Sequence, residues 1–312
     1  MAKYIIKRVL IAIVTLLVII IVLFLLLKLM PGSPFNNERL TDTQRHVLEV
    51  KYGLDKPWYQ QLFIYIKNMV MGDFGVSYSI QADYPVSQLI GSKLLLSIKI
   101  GLVAGVLGIV VGVILGIVSA LFHNGVLDTL TTIVSMIGAS IPSQVLALGF
   151  VYFLAYKLGW FPLTYSAKEP IMSSILAVIS LAIFPMAIAA RFTRNEMLEV
   201  IGSEYVTLAE TKGVPKKRII VIHALKNTLV PLITTLAPMV VGLMTGSMVT
   251  ENIFSIPGTG KLFIRAIQSN DYNVVLSLAF IFSAMFIGIM LITDILYGII
   301  DPRISLVGGE RK

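Results

Sequence analysis

The sequence contains no cysteine, so disulfides, thiolate metal sites and cysteine nucleophiles are excluded, and cysteine usage assigns no redox compartment. Charge is scarce too: Asp, Glu, Lys and Arg make up 13% of the 312 residues, roughly half the share of a soluble globular domain. There are three histidines, His46, His123 and His223, in separate segments without ligand spacing, which gives no metal site. Paired carboxylates and a histidine dyad are missing, which argues against a membrane enzyme. What fills the chain is apolar: 56% of residues are hydrophobic and the mean hydropathy is +0.87, which excludes an ordinary soluble protein. Lys and Arg exceed Asp and Glu by 8. In a membrane chain such an excess points to positive-inside loops rather than to nucleic acid.

The apolar residues cluster in six runs: Val9 to Met30, Ile98 to Phe122, Leu130 to Tyr156, Ile171 to Ala190, Leu229 to Thr250 and Val274 to Ile300. Each is long enough to cross a bilayer as a helix, so the expected fold is all-α and polytopic with six transmembrane helices. The first run ends in Lys28-Leu29-Met30-Pro31 instead of a small-residue cleavage site, so it reads as a retained span rather than a signal peptide. Lys3, Lys7 and Arg8 precede it; Arg191, Arg194, Lys212, Lys216, Lys217, Arg218 and Lys226 lie between runs four and five; Arg303, Arg311 and Lys312 follow the last. The positive-inside rule then places both termini and the fourth connection in the cytoplasm. Residues 1–96 are expected to form the first span with a folded extracytoplasmic loop, and residues 97–312 a five-helix core with its cytoplasmic loop at 191–228.

In the long first loop, Thr41 and Gln44 have capping-box spacing and Gly53 stands where a helix would stop. Pro57 suits a first helical position, and Trp58, Leu62, Tyr65, Ile66 and Met69 recur at helical spacing until Gly72. A third start, Pro85-Val86-Ser87, leads to the second span. The loop reads as a helical cap on the outer membrane surface or as a docking element, and the two are compatible.

Within the spans, Lys28, Lys99, Lys157 and Asp294 lie near ends, so no mid-membrane relay of the kind that ion-coupled carriers use is present. Ser140-Ile141-Pro142-Ser143-Gln144 falls inside the third run, where Pro142 frees a backbone carbonyl. Ser140, Ser143 and Gln144 are therefore candidates for a hydrated pathway, the other reading being a kinked helix whose polar groups satisfy one another. Glycines 101, 105, 108, 112 and 116 read as a close helix-packing face. Asp294 and Asp301 could pair with Arg191 or Arg194. The stretch from Ser255 to Leu262 has neither the first Gly nor the Ser/Thr of a phosphate-binding loop, and is expected to be a turn at an outer gate or binding-protein contact, with Glu251, Phe254, Pro257 and Gly258 as its residues.

The polar anomaly is the fourth connection. Ser203 to Lys212 predicts a short helix closed by Gly213, and Pro215 starts a second one over Lys216 to Lys226. Ala209 and Gly213 share a face that a partner's backbone could approach, whereas Lys216-Lys217-Arg218 alone would suit a basic hairpin on anionic lipid. The stretch Glu204-Tyr205-Val206-Thr207-Leu208-Ala209-Glu210-Thr211-Lys212-Gly213, with His223, Asn227 and Pro231 after it, closely resembles the EAA loop of ATP-binding-cassette importer permeases of the oligopeptide, dipeptide and nickel branch. Lys51-Tyr52-Gly53-Leu54-Asp55, Gly72-Asp73-Phe74-Gly75 and Glu251-Asn252-Ile253-Phe254-Ser255-Ile256-Pro257-Gly258 extend the resemblance to the B-type subunit of that branch. Ser33 departs from its usual Asp, and only Ala209 of the general three-residue signature is kept.

The resemblance implies a type I importer permease that pairs with a second homologous permease to form one pore in the bacterial cell membrane. It further implies two cytoplasmic ATPases that bind ATP and Mg, an extracytoplasmic peptide-binding lipoprotein and a peptide substrate. No cofactor would belong to this chain, which lacks a phosphate loop. By the same resemblance, Glu204, Tyr205, Ala209, Lys212, Gly213, Pro215, His223 and Asn227 form the loop that couples to the ATPases. Two rivals are a nickel permease of the same family, disfavoured by the missing cysteine and dispersed histidines, and an ion-coupled secondary carrier.

Overall fold

A computed structural model describes residues 2–29, 35, 41–215, 218 and 226–300. Every regular element among them is helical. The long α1, Ala2–Leu29, is followed by two short helices, α2 (Asp42–Tyr52) and α3 (Trp58–Val70). Thr41 caps α2 as its spacing predicts: its hydroxyl accepts from Gln44 N and the Gln44 side chain accepts from Thr41 N. Gly53 then takes a left-handed φ of +69°, which ends the helix. Pro57 is the cap of α3 rather than its first helical residue.

α4 runs over Val86–Leu121, so the start at Pro85 and the second span are one continuous helix of 36 residues, about 54 Å long. α4 is the central element. Its glycine face is buried: a Cβ at Gly108 would lie 2.5 Å from Ala182 O, one at Gly116 2.6 Å from Ala190 O, and one at Gly101 would enter the backbone of Leu243. The chain thereby packs α4 directly on α7 (Pro170–Ile201) and on α9 (Lys226–Met244), as the glycine spacing predicts.

The third run is not a straight span. α5 (Val126–Ser140) and α6 (Ser143–Phe150), the latter continued by a π-helical stretch at Val151–Lys157, meet at 97°. Pro142 supplies no N–H to the break, and Ile141 before it is extended at φ −87°, ψ 122°. The fifth run is also interrupted. α9 stops at Met244, Gly246 turns the chain at φ +99°, and the short α10 (Met248–Ile253) and α11 (Thr259–Gln268) precede α12 (Tyr272–Ile300).

Four of the described helical stretches, Ile5–Leu29, Val86–Leu121, Pro170–Ile201 and Tyr272–Ile295, are each long and apolar enough to cross a membrane, and the bent pair makes a fifth if it counts as one span. Their ends align. Phe24 and Leu27 of α1 share a core with Val86, Leu89 and Ile90 of α4 and with Val274, Leu276 and Leu278 of α12. At the opposite end Arg8 of α1 pairs with Asp294 of α12 at 3.0 Å, so Asp294 does not meet Arg191 or Arg194. Asp301 lies outside the described residues.

Candidate functional site

Three polar constellations among the described residues bear on the expected coupling loop, pathway and gate. The first lies where the carboxyl ends of α4 and α7 meet. Asp128, in the first turn of α5, is buried and accepts from Arg194 Nε at 2.6 Å and Nη2 at 2.9 Å, from Ser119 Oγ at 2.5 Å and from Asn124 N at 2.9 Å. His123 Nδ1 stands 3.2 Å from the same carboxylate. The Arg194 guanidinium and these donors together compensate the charge of the buried Asp128 carboxylate. One buried anion therefore ties α4, α5 and α7 together at one end of the bundle.

From that clamp α7 runs on to Ile201 and delivers the candidate coupling segment. Met197 of α7 is buried against Ala120 of α4, with Leu198 and Ile201 packed around them. After Gly202 and Ser203 comes α8, Glu204–Thr211. Its Val206 is buried, while Glu204, Thr207, Leu208, Lys212, Gly213 and Pro215 are exposed. Gly213 adopts φ +78°, the left-handed stop expected of it. Tyr205 and Ala209 belong to α8, and Asn227 lies in the first turn of α9. His223, Lys216 and Lys217 fall outside the described residues, as does most of the second helix expected there.

The second constellation surrounds the break in the α5–α6 pair. Ser140, Pro142 and Ser143 line a cavity of about 380 Å³ together with Pro185 of α7 and Met239 and Gly242 of α9. Ser140 Oγ donates back to Met136 O at 2.7 Å, so its hydroxyl hydrogen is committed to its own helix. Gln144 is half-buried and does not line this cavity. The structure therefore brings Ser140 and Ser143 to one cavity and leaves Gln144 outside it.

The third sits at the far end of α4. Glu251 of α10 is buried and accepts from Ser97 Oγ of α4 at 2.7 Å and from Lys261 N of α11 at 2.9 Å. Ser97 Oγ in turn accepts from Thr259 N at 2.9 Å, and Thr259 Oγ1 donates to Thr245 O at 3.0 Å. Gly246, Gly258 and Gly260 close around the carboxylate so tightly that a Cβ at Gly258 would collide with it. Phe254 is fully buried and its carbonyl accepts from Tyr165 N at 2.8 Å. Pro257 is exposed and lines a second cavity of about 380 Å³ with Lys93, Lys99 and Tyr165. Glu251, Phe254 and Gly258 are thus brought together as a packed turn, with Pro257 at its surface.

Comparison with known proteins gives one consistent result. Residues 112–306 match the family described as binding-protein-dependent transport system inner membrane component, and residues 1–87 match its N-terminal family. The dipeptide transport system permease protein DppB of Lactococcus lactis subsp. cremoris is 40% identical over 306 residues, 98% of this chain and 100% of the relative. The oligopeptide transport system permease protein OppB of Haemophilus influenzae is 42% identical over 305 residues, and that of Escherichia coli K12 39% identical over 305; each alignment covers 97% of this chain and 99% of the relative. The chain belongs to the binding-protein-dependent inner membrane permeases.

The permease is accordingly a multi-pass protein of the bacterial inner membrane. Among its described residues no three His, Asp or Glu side chains come together as a metal site. Two buried polar contacts were not foreseen from the sequence of the permease. Asp128 and Arg194 are 66 positions apart, and nothing in their local sequence marks them as partners. Ser97 is one serine among several in an apolar helix, and only the fold brings it to Glu251, 154 positions away. A charge isolated in apolar surroundings was the available signal for the clamp, because a buried carboxylate needs a cation or several donors.

Proposed function

We propose that this permease carries dipeptides or oligopeptides through the membrane as one of two homologous halves of a pore driven by cytoplasmic ATPases. The observation that carries the reading is the near end-to-end similarity to permeases named for dipeptide and oligopeptide transport. The same names favour peptides over nickel as cargo. The permease itself is the translocation component, and ATP binding and hydrolysis fall to its partners.

In this reading the chain has six spans, with α9, 19 residues long, as the fifth and the bent α5–α6 pair as the third. Both termini and α8 face the cytoplasm, in accord with the basic residues Lys7, Arg8, Arg191 and Arg194 at that end. α8 and the turn at Gly213 seat in a cleft of an ATPase. α7 then acts as a lever, since it is continuous from α8 to the cavity at Pro142 and Pro185 and is locked to α4 and α5 by Asp128. ATPase closure moves the lever, and the turn around Glu251 opens towards a loaded peptide-binding lipoprotein. Such coupling requires α8 to make different contacts in the two ATPase states.

The test is to tag the chain, solubilise the membrane gently and identify what co-purifies at fixed stoichiometry. A second permease with two ATP-binding subunits, whose hydrolysis rises on addition of the peptide-loaded binding protein, is the expected result. A chain that purifies alone and transports without ATP would replace this reading with a secondary carrier.

A further inference from the structure

α3 bears two apolar stripes. Leu62 and Tyr65 pack against the core formed by Phe24 and Leu27 of α1 and the first turns of α12, and Met69 on the same stripe is buried. Beside them Tyr59, Phe63, Ile66 and Val70 recur at spacings of four, three and four, which places them on one adjoining arc of the helix. Phe63 is 69% exposed and Val70 80% exposed, and Trp58, Tyr59 and Met71 at the two ends are exposed as well. Gln60 and Lys67 lie beyond this arc. A helix that only covered the core beneath it would be polar here.

The depth of α3 follows from what it touches. Ile64, Tyr65 and Asn68 line one cleft with Phe24, Leu27 and Lys28 of α1. The apolar part of α1 from Val9 to Leu29 is roughly 32 Å long, so Phe24 to Lys28 occupy its final turns, at the boundary between hydrocarbon and headgroups. At that level α1 leaves Leu25, Leu26 and Leu29 exposed, so both helices expose apolar side chains at the same depth. Tryptophan and tyrosine are favoured at this depth, where the ring lies among acyl chains and the polar atom reaches the headgroups. Exposed Lys56 and Lys67 flank the arc, with stems long enough to carry their ammonium groups to lipid phosphates.

We infer that α3 is an interfacial helix that seats Tyr59, Phe63 and Val70 in the outer leaflet at the headgroup boundary, with phospholipid as its partner. The inference rests on α1 being a span and on the permease being a membrane protein, not on the identity of the cargo. It gives the loop subdomain a fixed depth: Asp271, one residue before α12, accepts from Ser77 Oγ and from Tyr78, Ser79 and Ile80 N, which fastens the loop to the last span while α3 holds the bilayer.

The absence of cysteine makes a direct test available. Phe63→Cys, Val70→Cys and Gln60→Cys are each labelled with a nitroxide in the assembled transporter, with cysteines in the other subunits replaced, in nanodiscs of phosphatidylethanolamine and phosphatidylglycerol. Retained co-purification of all subunits establishes assembly. The expected result is an oxygen-to-nickel-chelate collision ratio several-fold higher at 63 and 70 than at 60, unchanged on adding the binding protein. Free access of the nickel chelate to 63 and 70 would mean that the arc faces water, and loss of both collision partners that protein covers it; either result overturns the inference.

Discussion

Arg194 holds Asp128 through two nitrogens, Nε to one carboxylate oxygen at 2.6 Å and Nη2 to the other at 2.9 Å, where the carboxyl ends of α4 and α7 meet. The contact is two-pronged, a geometry that lysine cannot reproduce. Removing either partner leaves the other charge without its main compensation. Asp128→Ala and Arg194→Ala should each destabilise the transporter by about 3 kcal/mol, while the double variant loses less than the sum. Thermal unfolding of the purified complex over the four-member cycle measures this. Strictly additive losses would show that the two side chains do not act as a unit.

The turn after α10 depends on having no side chain where Glu251 lies. Gly258→Ala introduces a Cβ into the space of the Glu251 carboxylate, and Gly260→Ala one 2.8 Å from Met248 N. Each should cost about 1–3 kcal/mol by overpacking. Glu251→Gln keeps the shape but turns a four-lone-pair acceptor into a group with two donors, facing Ser97 Oγ and Lys261 N. The expected outcome is normal membrane insertion with peptide uptake reduced at least several-fold in all three, read by uptake of labelled peptide in cells matched for permease level. Unchanged uptake in Gly258→Ala would remove the turn from the gate.

How legible these features were differs by residue. The capping box at Thr41, the stop at Gly53 and the left-handed turn at Gly213 follow from local chemistry, and each is formed as its spacing predicts. The glycine face of α4 is legible for the same reason: periodicity in one helix encodes close approach by another. Pro142 marks a kink, but the 97° turn it permits is set by how α5 and α6 pack on α7, which no local signal contains. The partners of Arg194 and Asp294 are long-range choices among a handful of charges. Their places at the expected inner ends of two spans suggested each other as partners; the fold gives them Asp128 and Arg8.

In the loop between α1 and α4, Lys51 Nζ donates to both oxygens of Asp83, at 2.9 and 2.7 Å, and Tyr52 OH to one of them at 2.9 Å. The Lys51 hydrogen bonds, and then that of Tyr52, lower the Asp83 carboxyl below its ordinary value. A depressed carboxylate contributes stability above its unfolded value of about 3.9 and loses it as pH falls through the folded value. Hydrogen exchange of α2 should therefore be insensitive to this pair between pH 5 and 8 and rise only in stronger acid. Asp83→Asn, which tolerates the positive φ at this position, should raise exchange already at pH 7, modestly because the pair is exposed. A wild-type transition near neutrality would point to a different titrating group.

The proposed coupling element can be separated from the folding of the permease because its exposed side carries no core. Gly213 has open space around its Cβ position among the described residues, so Gly213→Ala meets none of them and costs the left-handed backbone, about 1 kcal/mol. That is too little to unfold the protein but enough to shift the turn after α8. Ala209→Trp adds bulk to the helix proposed to enter the ATPase cleft and should prevent seating. The expected result for Ala209→Trp is a permease pair that inserts and co-purifies normally but without ATPases, with peptide uptake reduced more than tenfold. Gly213→Ala should retain the ATPases and lower the peptide-stimulated share of their turnover, since assembly survives a shifted turn while transmission does not. Wild-type uptake by Ala209→Trp would mean that α8 is not the docking helix, and Lys212 and the basic residues beyond it would then serve the anionic lipid surface instead.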